Sequence, residues 1–265
     1  AKELVSDELW AVIEPLLPPE PPKTKGGRPR VSNRNCLTGI LFVLKTGVPW
    51  EDLPQEMGCG SGMTCWRRLQ DWQVAGVWDK LTGFSWIGSA KPATRLESGV
   101  SGLGDGAGTR GGAQTGPDPT NRGKSGTKRH VVVDRTGVPL SVTLSAANVH
   151  DKRMLETAVD AIPPIKQPRG RPRRRPHKLH ADKAYDFRDV RQALRRRGIV
   201  PRIARRGIDS SERLGRYRWV VERTLSWLNR YRRLKVRYER RADIHQAFLT
   251  LGCALICWRA AQQFC

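Results

Sequence analysis

The 265-residue chain carries 48 Lys and Arg against 25 Asp and Glu, a formal net charge of +23 at pH 7. That length buries a core in one large domain or in a small module followed by a medium one, and so basic a balance excludes a cationic partner and points to a polyanion, arginine's planar fork suiting phosphate. With no 18-residue uncharged apolar run and no charged-then-apolar leader pattern, a membrane partner is set aside and a cytosolic protein that meets DNA there is expected.

In chain order, "VSDELWAVIEPLLPP" predicts a helix capped by Ser6, with Asp7 and Glu8 in its first turn and Leu9, Val12, Ile13, Leu16 and Leu17 along one face. "KTKGGRPRVSNRN" is a basic strip, and "RNCLTGILFVLKTGVPWEDLP" reads as a buried helix ending near Gly47. "SGMTCWRRLQDWQVAGVWDKL" reads as one further helix with Trp66, Leu69, Trp72 and Val77 facing inward. Together, residues 1–81 are expected to form a small α-helical, helix-turn-helix-like DNA-binding module.

After Leu81 the pattern changes. "KRHVVVD" and "GVPLSVTLS", joined by "DRTG", predict a hairpin. "HDKRMLETAVDAI" is helical, "HKLHADKAYD" a strand ending near Asp182, "DFRDVRQALRRRG" a helix and "IVPRIA" a strand. "RYRWVVERTLSWLNRYRRL" and "HQAFLTLGCALICWRAAQ" are the last two helices. Strands interleaved with helices predict an α/β layered domain. Neither GxGxxG nor a Walker loop is present, and the six cysteines form no zinc pattern, so reduced, packed thiols are expected.

Two arginine-proline segments, Gly26–Arg30 and Arg169–Pro176, read either as phosphate tracks or as solvated linkers. Their candidate contacts are Arg28, Arg30, Arg169, Arg171, Arg173 and Arg174. RNA is the alternative partner. Asp182 at a strand end and Glu222 on a helix are hard oxygen ligands of the kind magnesium takes, although Glu222 could equally pair with Arg218 one turn before it. His150 and Asp151 either approach such a site, or Asp151 simply caps the start of a helix.

The run "TGPDPTNRGKSGTKRHVVVDRTGVPLSVTLSAANVHD", then "LHADKAYD", then "RYRWVVERTLSWLNRYRRLKVRYER", resembles the insertion-sequence transposases of the broad IS4/IS5 type, and the N-terminal "GRPR…LTGILFVLKTGVPWEDLP" is similar to the module that precedes their catalytic domain. The resemblance implies an RNase H-like catalytic domain over residues 111–265 and an Asp-Asp-Glu triad. It also implies two Mg2+ (or Mn2+) ions and, as partner, double-stranded DNA: the element's terminal repeats and its target. Two DNA ends imply at least a homodimer, and the setting implied is the bacterial nucleoid. Asp182 matches the second acid and Glu222 the third, both as metal ligands, with Arg218 at the signature spacing. The signature tyrosine falls on Gly215 and the later basic residue on Asn229, beside Arg230. Lys124, Lys128, Arg218, Arg223 and Arg230 complete the DNA contacts expected on this basis.

The first acid is not where the resemblance implies it. Ten residues before Gly112 stands Gly102, and the nearest carboxylate is Asp105, a stand-in at best. Back-translated and read one base on, residues 96–110 permit Trp-Ser-Arg-Ala-Ser-Leu-Asp-Ser-Ala-Thr-Val-Arg-Ala, with the aspartate on the junction of Gly102 and Leu103. Residues 82–110 are therefore read as an aberrant, out-of-frame segment, and a non-cleaving, DNA-binding relative becomes the alternative to an active enzyme.

Overall fold

A computed structural model describes residues 3–20, 29–84, 93–102, 112–119, 121–165, 171–205, 207 and 211–264, with backbone alone at 84, 93–102, 211–218 and 263–264. Four helices come first: α1 (Asp7–Ile13), α2 (Asn33–Thr46), α3 (Gly62–Val74) and α4 (Val77–Phe84). Serine caps three of them, Ser6, Ser32 and Ser61 each accepting a backbone N–H three residues on. The segment expected as one helix from Ser61 to Leu81 is broken at Gly76, whose φ of +67° suits glycine and turns the chain between α3 and α4. The stretch between α2 and α3, residues 47–61, holds two short 3-10 turns. That is longer than the three or four residues of a helix-turn-helix connection.

The sheet comprises β1 (Ala93–Gly102), β2 (Gly116–Pro117), β3 (Ser125–Asp134), β4 (Pro139–Ala146), β5 (Lys178–Ala181) and β6 (Val200–Ile203). β1 is central: it pairs antiparallel with β3 on one side and parallel with β5 on the other, β4 extending beyond β3 and β6 beyond β5. The hairpin read from alternation is present, and its turn is tied by Asp134, whose carboxylate accepts from the N–H groups of Thr136 and Val138 at 2.8 Å. Between strands run α5 (Leu155–Asp160) and α6 (Arg188–Arg196), and after β6 come α7 (Ser211–Asn229), α8 (Arg232–Lys235) and α9 (Ala242–Phe264). The domain is mixed α/β, as the interleaved pattern predicted.

The helical segment and the sheet share one hydrophobic core. Leu37, Leu44, Leu69, Trp72, Trp78 and Leu81 from the first helices pack in the same cluster as Phe248, Leu251 and Leu255 of α9 and Val131 and Val133 of β3. α9 satisfies the length and hydropathy of a membrane span, but 72% of that window is buried inside the protein, so its apolar composition is spent on the core. The trp ring of residue 50 stacks on Phe248 at 5.5 Å, and Arg233 of α8 donates to the carbonyls of Gly47 and Val48, at the end of α2, at 3.1 and 3.0 Å. Cys253 and Cys257 lie buried in this region, and burial raises both thiol pKa values, consistent with the packed, protonated thiols expected.

Candidate active site

Asp182 stands where the strand reading put it, directly after β5. It is half-buried, and one carboxylate oxygen accepts the N–H of Ala184 at 2.9 Å, capping the 3-10 turn 183–185. His150 caps the corresponding turn after β4, accepting from Lys152 N through Nδ1. Its ring meets Phe187 edge-on at 5.3 Å, and Lys152 sits 4.4 Å over the same ring. Of the two alternatives for His150 and Asp151, capping therefore belongs to His150, whereas Asp151 pairs with Lys128 at 2.8 Å. β4 and β5 run the same way as β1, so these turns gather at one edge of the sheet.

Glu222 is exposed on α7 and takes part in side-chain interactions there. The helix is anchored just beyond it: Thr224 Oγ1 donates to Gly137 O at 2.6 Å, and Arg223 donates to Thr136 O, both in the β3–β4 turn. That turn is level with the start of β1, since Thr94 pairs with Asp134, and Ala93 pairs in turn with Lys178 at the start of β5. Asp182 follows the other end of β5, a four-residue strand and so roughly 13 Å long. The two acids flank one sheet without forming a cluster.

The central strand ends at Gly102, the position where the resemblance requires its first aspartate. The parallel pairing of β1 with β5 runs as far as Arg95 beside His180; two residues further along both strands, Glu97 comes level with Asp182. Gly102 is then five residues, roughly 16 Å, beyond that level. Asp105 lies outside the described residues.

The other candidate contacts are unevenly placed. Arg28 and Arg169 lie outside the described residues, as does the side chain of Arg218, whose backbone is in α7. Arg30, Lys124, Arg171, Arg173, Arg174 and Arg230 are exposed. Arg173 is fixed by backbone bonds to Ile165, 2.7 and 2.8 Å, that pinch the arginine-proline loop. Lys128 and Arg223 are engaged within the protein: Lys128 Nζ donates to Val149 O as well as to Asp151, and the Arg223 guanidinium lies between the Trp219 and Trp227 rings, 4.6 and 4.7 Å from their centroids. Asn229, at the place of the expected basic residue, accepts from buried Arg129 at 2.9 Å.

Apart from Arg230, sequence reasoning passed over the arginines of the segment after α7. Arg237 is fully buried and donates to Ala113 O, Gln114 O, Thr115 Oγ1 and Thr127 Oγ1, holding the chain where it enters β2. A Cβ on Gly112 would meet Arg240 O at 1.8 Å, so that approach requires glycine. The signal was the density of arginine in "RYRRLKVRYERR", which reads as a solvated face until its partners are seen.

Two family comparisons bear on this arrangement. Residues 103–257, more than half of the chain, match the family described as "Transposase DDE domain". The chain belongs to the DDE transposases. Residues 5–82 match a second family, described as "Putative transposase of IS4/5 family". Among curated relatives, a Burkholderia cepacia protein named "Putative transposase for insertion sequence element IS402" is 53% identical over 150 residues, 57% of this chain and 71% of that protein. A "16.2 kDa protein" of the same insertion element is 69% identical over 83 residues, 31% of this chain and 56% of its own length. A solved Mos1 transpososome aligns over 91% of this chain and 82% of its own at 10% identity with a TM-score of 0.26, a likeness too slight to bear on the fold.

DDE transposases depend on divalent metal, and the donor set here can be weighed against that need. A two-metal site needs a carboxylate shared between the ions. Asp182 keeps a carboxylate oxygen free of the bond to Ala184, but the position that the resemblance assigns to the first acid is Gly102, which offers no ligand. Among the described residues no group of three or more His, Cys, Asp or Glu is placed to hold a metal ion. These residues do not fit a two-ion centre as they stand.

Proposed function

We propose that this insertion-sequence transposase binds the double-stranded ends of its element through its helical segment and its exposed arginines, and that this polypeptide stops at binding. Asp182 and Glu222 are the second and third acids of an Asp-Asp-Glu triad on an RNase H-like sheet, whose family reaction is Mg2+- or Mn2+-dependent strand cleavage and transfer. Residues 1–81 and 111–265 are the binding and catalytic parts, working as at least a dimer on two DNA ends. The observation that carries the reading is Gly102: the position that the resemblance assigns to the first acid is a glycine at the end of β1. Arg223 and Lys128 act within the fold, leaving Arg30, Arg171, Arg173, Arg174 and Arg230 as the stronger phosphate contacts.

The test is a terminal-repeat duplex incubated with purified protein and Mg2+ or Mn2+, read for retardation and for nicking. Retardation without nicking is expected, and cleavage that Asp182→Ala abolishes would overturn it. Gly102→Asp alone is expected to restore nothing, because in the present register residue 102 lies well past the level of Asp182. Replacing residues 96–110 by their shifted-frame reading is expected to restore nicking, since a new strand sequence can set its own register. Activity from the single substitution would show that register is not the obstacle.

A further inference from the structure

Outside the sheet, the most unusual surface is on α3. Its inner face is apolar and buried, Cys65, Leu69 and Trp72 packing into the core. Its outer stripe runs Met63, Arg67, Asp71 and Val74, spaced one helical turn apart and all exposed. Met63 is 51% exposed and Val74 83%, so two of the five large hydrophobic side chains that stand open among the described residues are on this stripe. Both side chains are therefore open to a partner, at either end of a stripe that carries an arginine and a carboxylate between them.

Basic residues from the far end of the chain flank α3, beside a hollow to which Glu51 of the turn before α3 also contributes. The Arg241 guanidinium lies 5.1 Å over the ring of Trp66, and Tyr238, itself 41% exposed, shares with Met63 and Ser61 an open hollow of about 500 Å³. Arg232 packs against Gly47 at the end of α2, and Arg230, Arg232, Lys235 and Arg240 are exposed along the same segment. Asp243 neutralises Arg241, which leaves the other four as the net charge beside the helix. The start of α3 is held close to the preceding turn, a Cβ on Gly62 meeting Trp50 O at 1.7 Å, so the stripe is presented on a rigid base.

We propose that α3 reads base edges in the major groove of DNA, with Arg67 and Asp71 directed to the bases, Met63 and Val74 against thymine methyl groups, and Arg230, Arg232, Lys235 and Arg240 on the flanking phosphates. A 13-residue helix is roughly 20 Å long and the groove is about 12 Å wide, enough to admit it. Arginine suits guanine, a carboxylate accepts from cytosine, and apolar contacts suit thymine, which accounts for a mixed stripe where a phosphate-binding face would be uniformly basic. Recognition of this kind needs no short helix-turn-helix connection, only an exposed helix with phosphate contacts beside it. The inference rests on the reading that the protein binds the ends of its element.

The experiment uses the full chain and two duplexes of equal length, one with the element's terminal repeat and one with that sequence scrambled, over a range of salt. Arg67→Ala is expected to weaken the terminal duplex about tenfold or more and the scrambled one less than about twofold. Arg240→Ala should weaken both alike and lower the salt slope by about one. Equal losses on both duplexes from Arg67→Ala, or none, would overturn the role of α3. Wild-type protein that binds both duplexes equally would also overturn it while leaving DNA binding intact, whereas binding to neither would remove the reading on which it rests. Val74→Glu followed by light scattering tests a second copy of the chain as the occupant: a dimer dissolved with sequence discrimination intact would overturn the proposal.

Discussion

His245 is buried in α9 among Arg129, Arg233 and Arg237, and neither ring nitrogen has a hydrogen-bond partner. Burial first, and then those three like charges, lowers its pKa to about 3, and burial lowers that of His130 to about 4. An unfolded chain returns both to about 6.5, so between these values the unfolded state binds more protons. Stability is therefore complete above about pH 6.5 and is lost as pH falls through 4 towards 3. His245→Leu removes one of these groups without leaving a polar vacancy, and urea unfolding at pH 7.5 and 4.5 should show a smaller difference between the two pH values than in the wild type. An undiminished difference would mean that His245 contributes nothing to acid sensitivity. The residue was visible in the sequence only as a histidine in an apolar run; its neighbours are contributed by β3, by α8 and by the segment after α8.

At the scale of elements, periodicity and caps place most helices and strands but not every break between them. The Ser6 cap, the β3–β4 hairpin, the strand before Asp182 and the long apolar α9 all form where their local patterns place them, because each pattern is satisfied within a few residues. The break at Gly76 was missed because helical spacing continues across it, and only the positive φ reveals the turn. The helix-turn-helix expectation rested on three helices and a basic linker, whereas the two 3-10 turns in residues 47–61 set the actual separation. α8 shows how a short element acts through one side chain. Arg233 makes two bonds to Glu239, at 2.9 and 2.7 Å, and two to carbonyls at the end of α2, all of them largely hidden from water. Arg233→Ala leaves Glu239 buried without its partner, and denaturant unfolding should record a loss of about 3–5 kcal/mol. A loss below about 1 kcal/mol would show that the pair can rehydrate.

Across the whole molecule, the helical segment that composition suggests as a separate module is part of the same body as the sheet. α4 and α3 pack on α9, α2 packs on α8, and their core is continuous with Val131 and Val133. Residues 1–84 expressed alone would expose the surfaces of Trp50, Leu81 and Trp78 that α9 now covers, and each large apolar side chain left in water costs about 1.5–3 kcal/mol. That fragment is expected to show no cooperative thermal transition by circular dichroism; a sharp transition would mean that the first helices form an independent domain. α3 and the sheet therefore have a defined position relative to one another.

By itself, the amino-acid sequence determined the family, the alternation of strands and helices, the place of Asp182 at a strand end and the glycine at residue 102, because motif, cap and periodicity are local and survive without knowledge of partners. Tertiary structure alone decided that Arg223 is held between two indoles, that His150 and not Asp151 is the cap, and that the helical segment shares the core of the sheet. It also decided how far β1 carries Gly102 past Asp182. Register and burial depend on residues that are far apart in the chain, and no window of sequence contains both sides of such a contact.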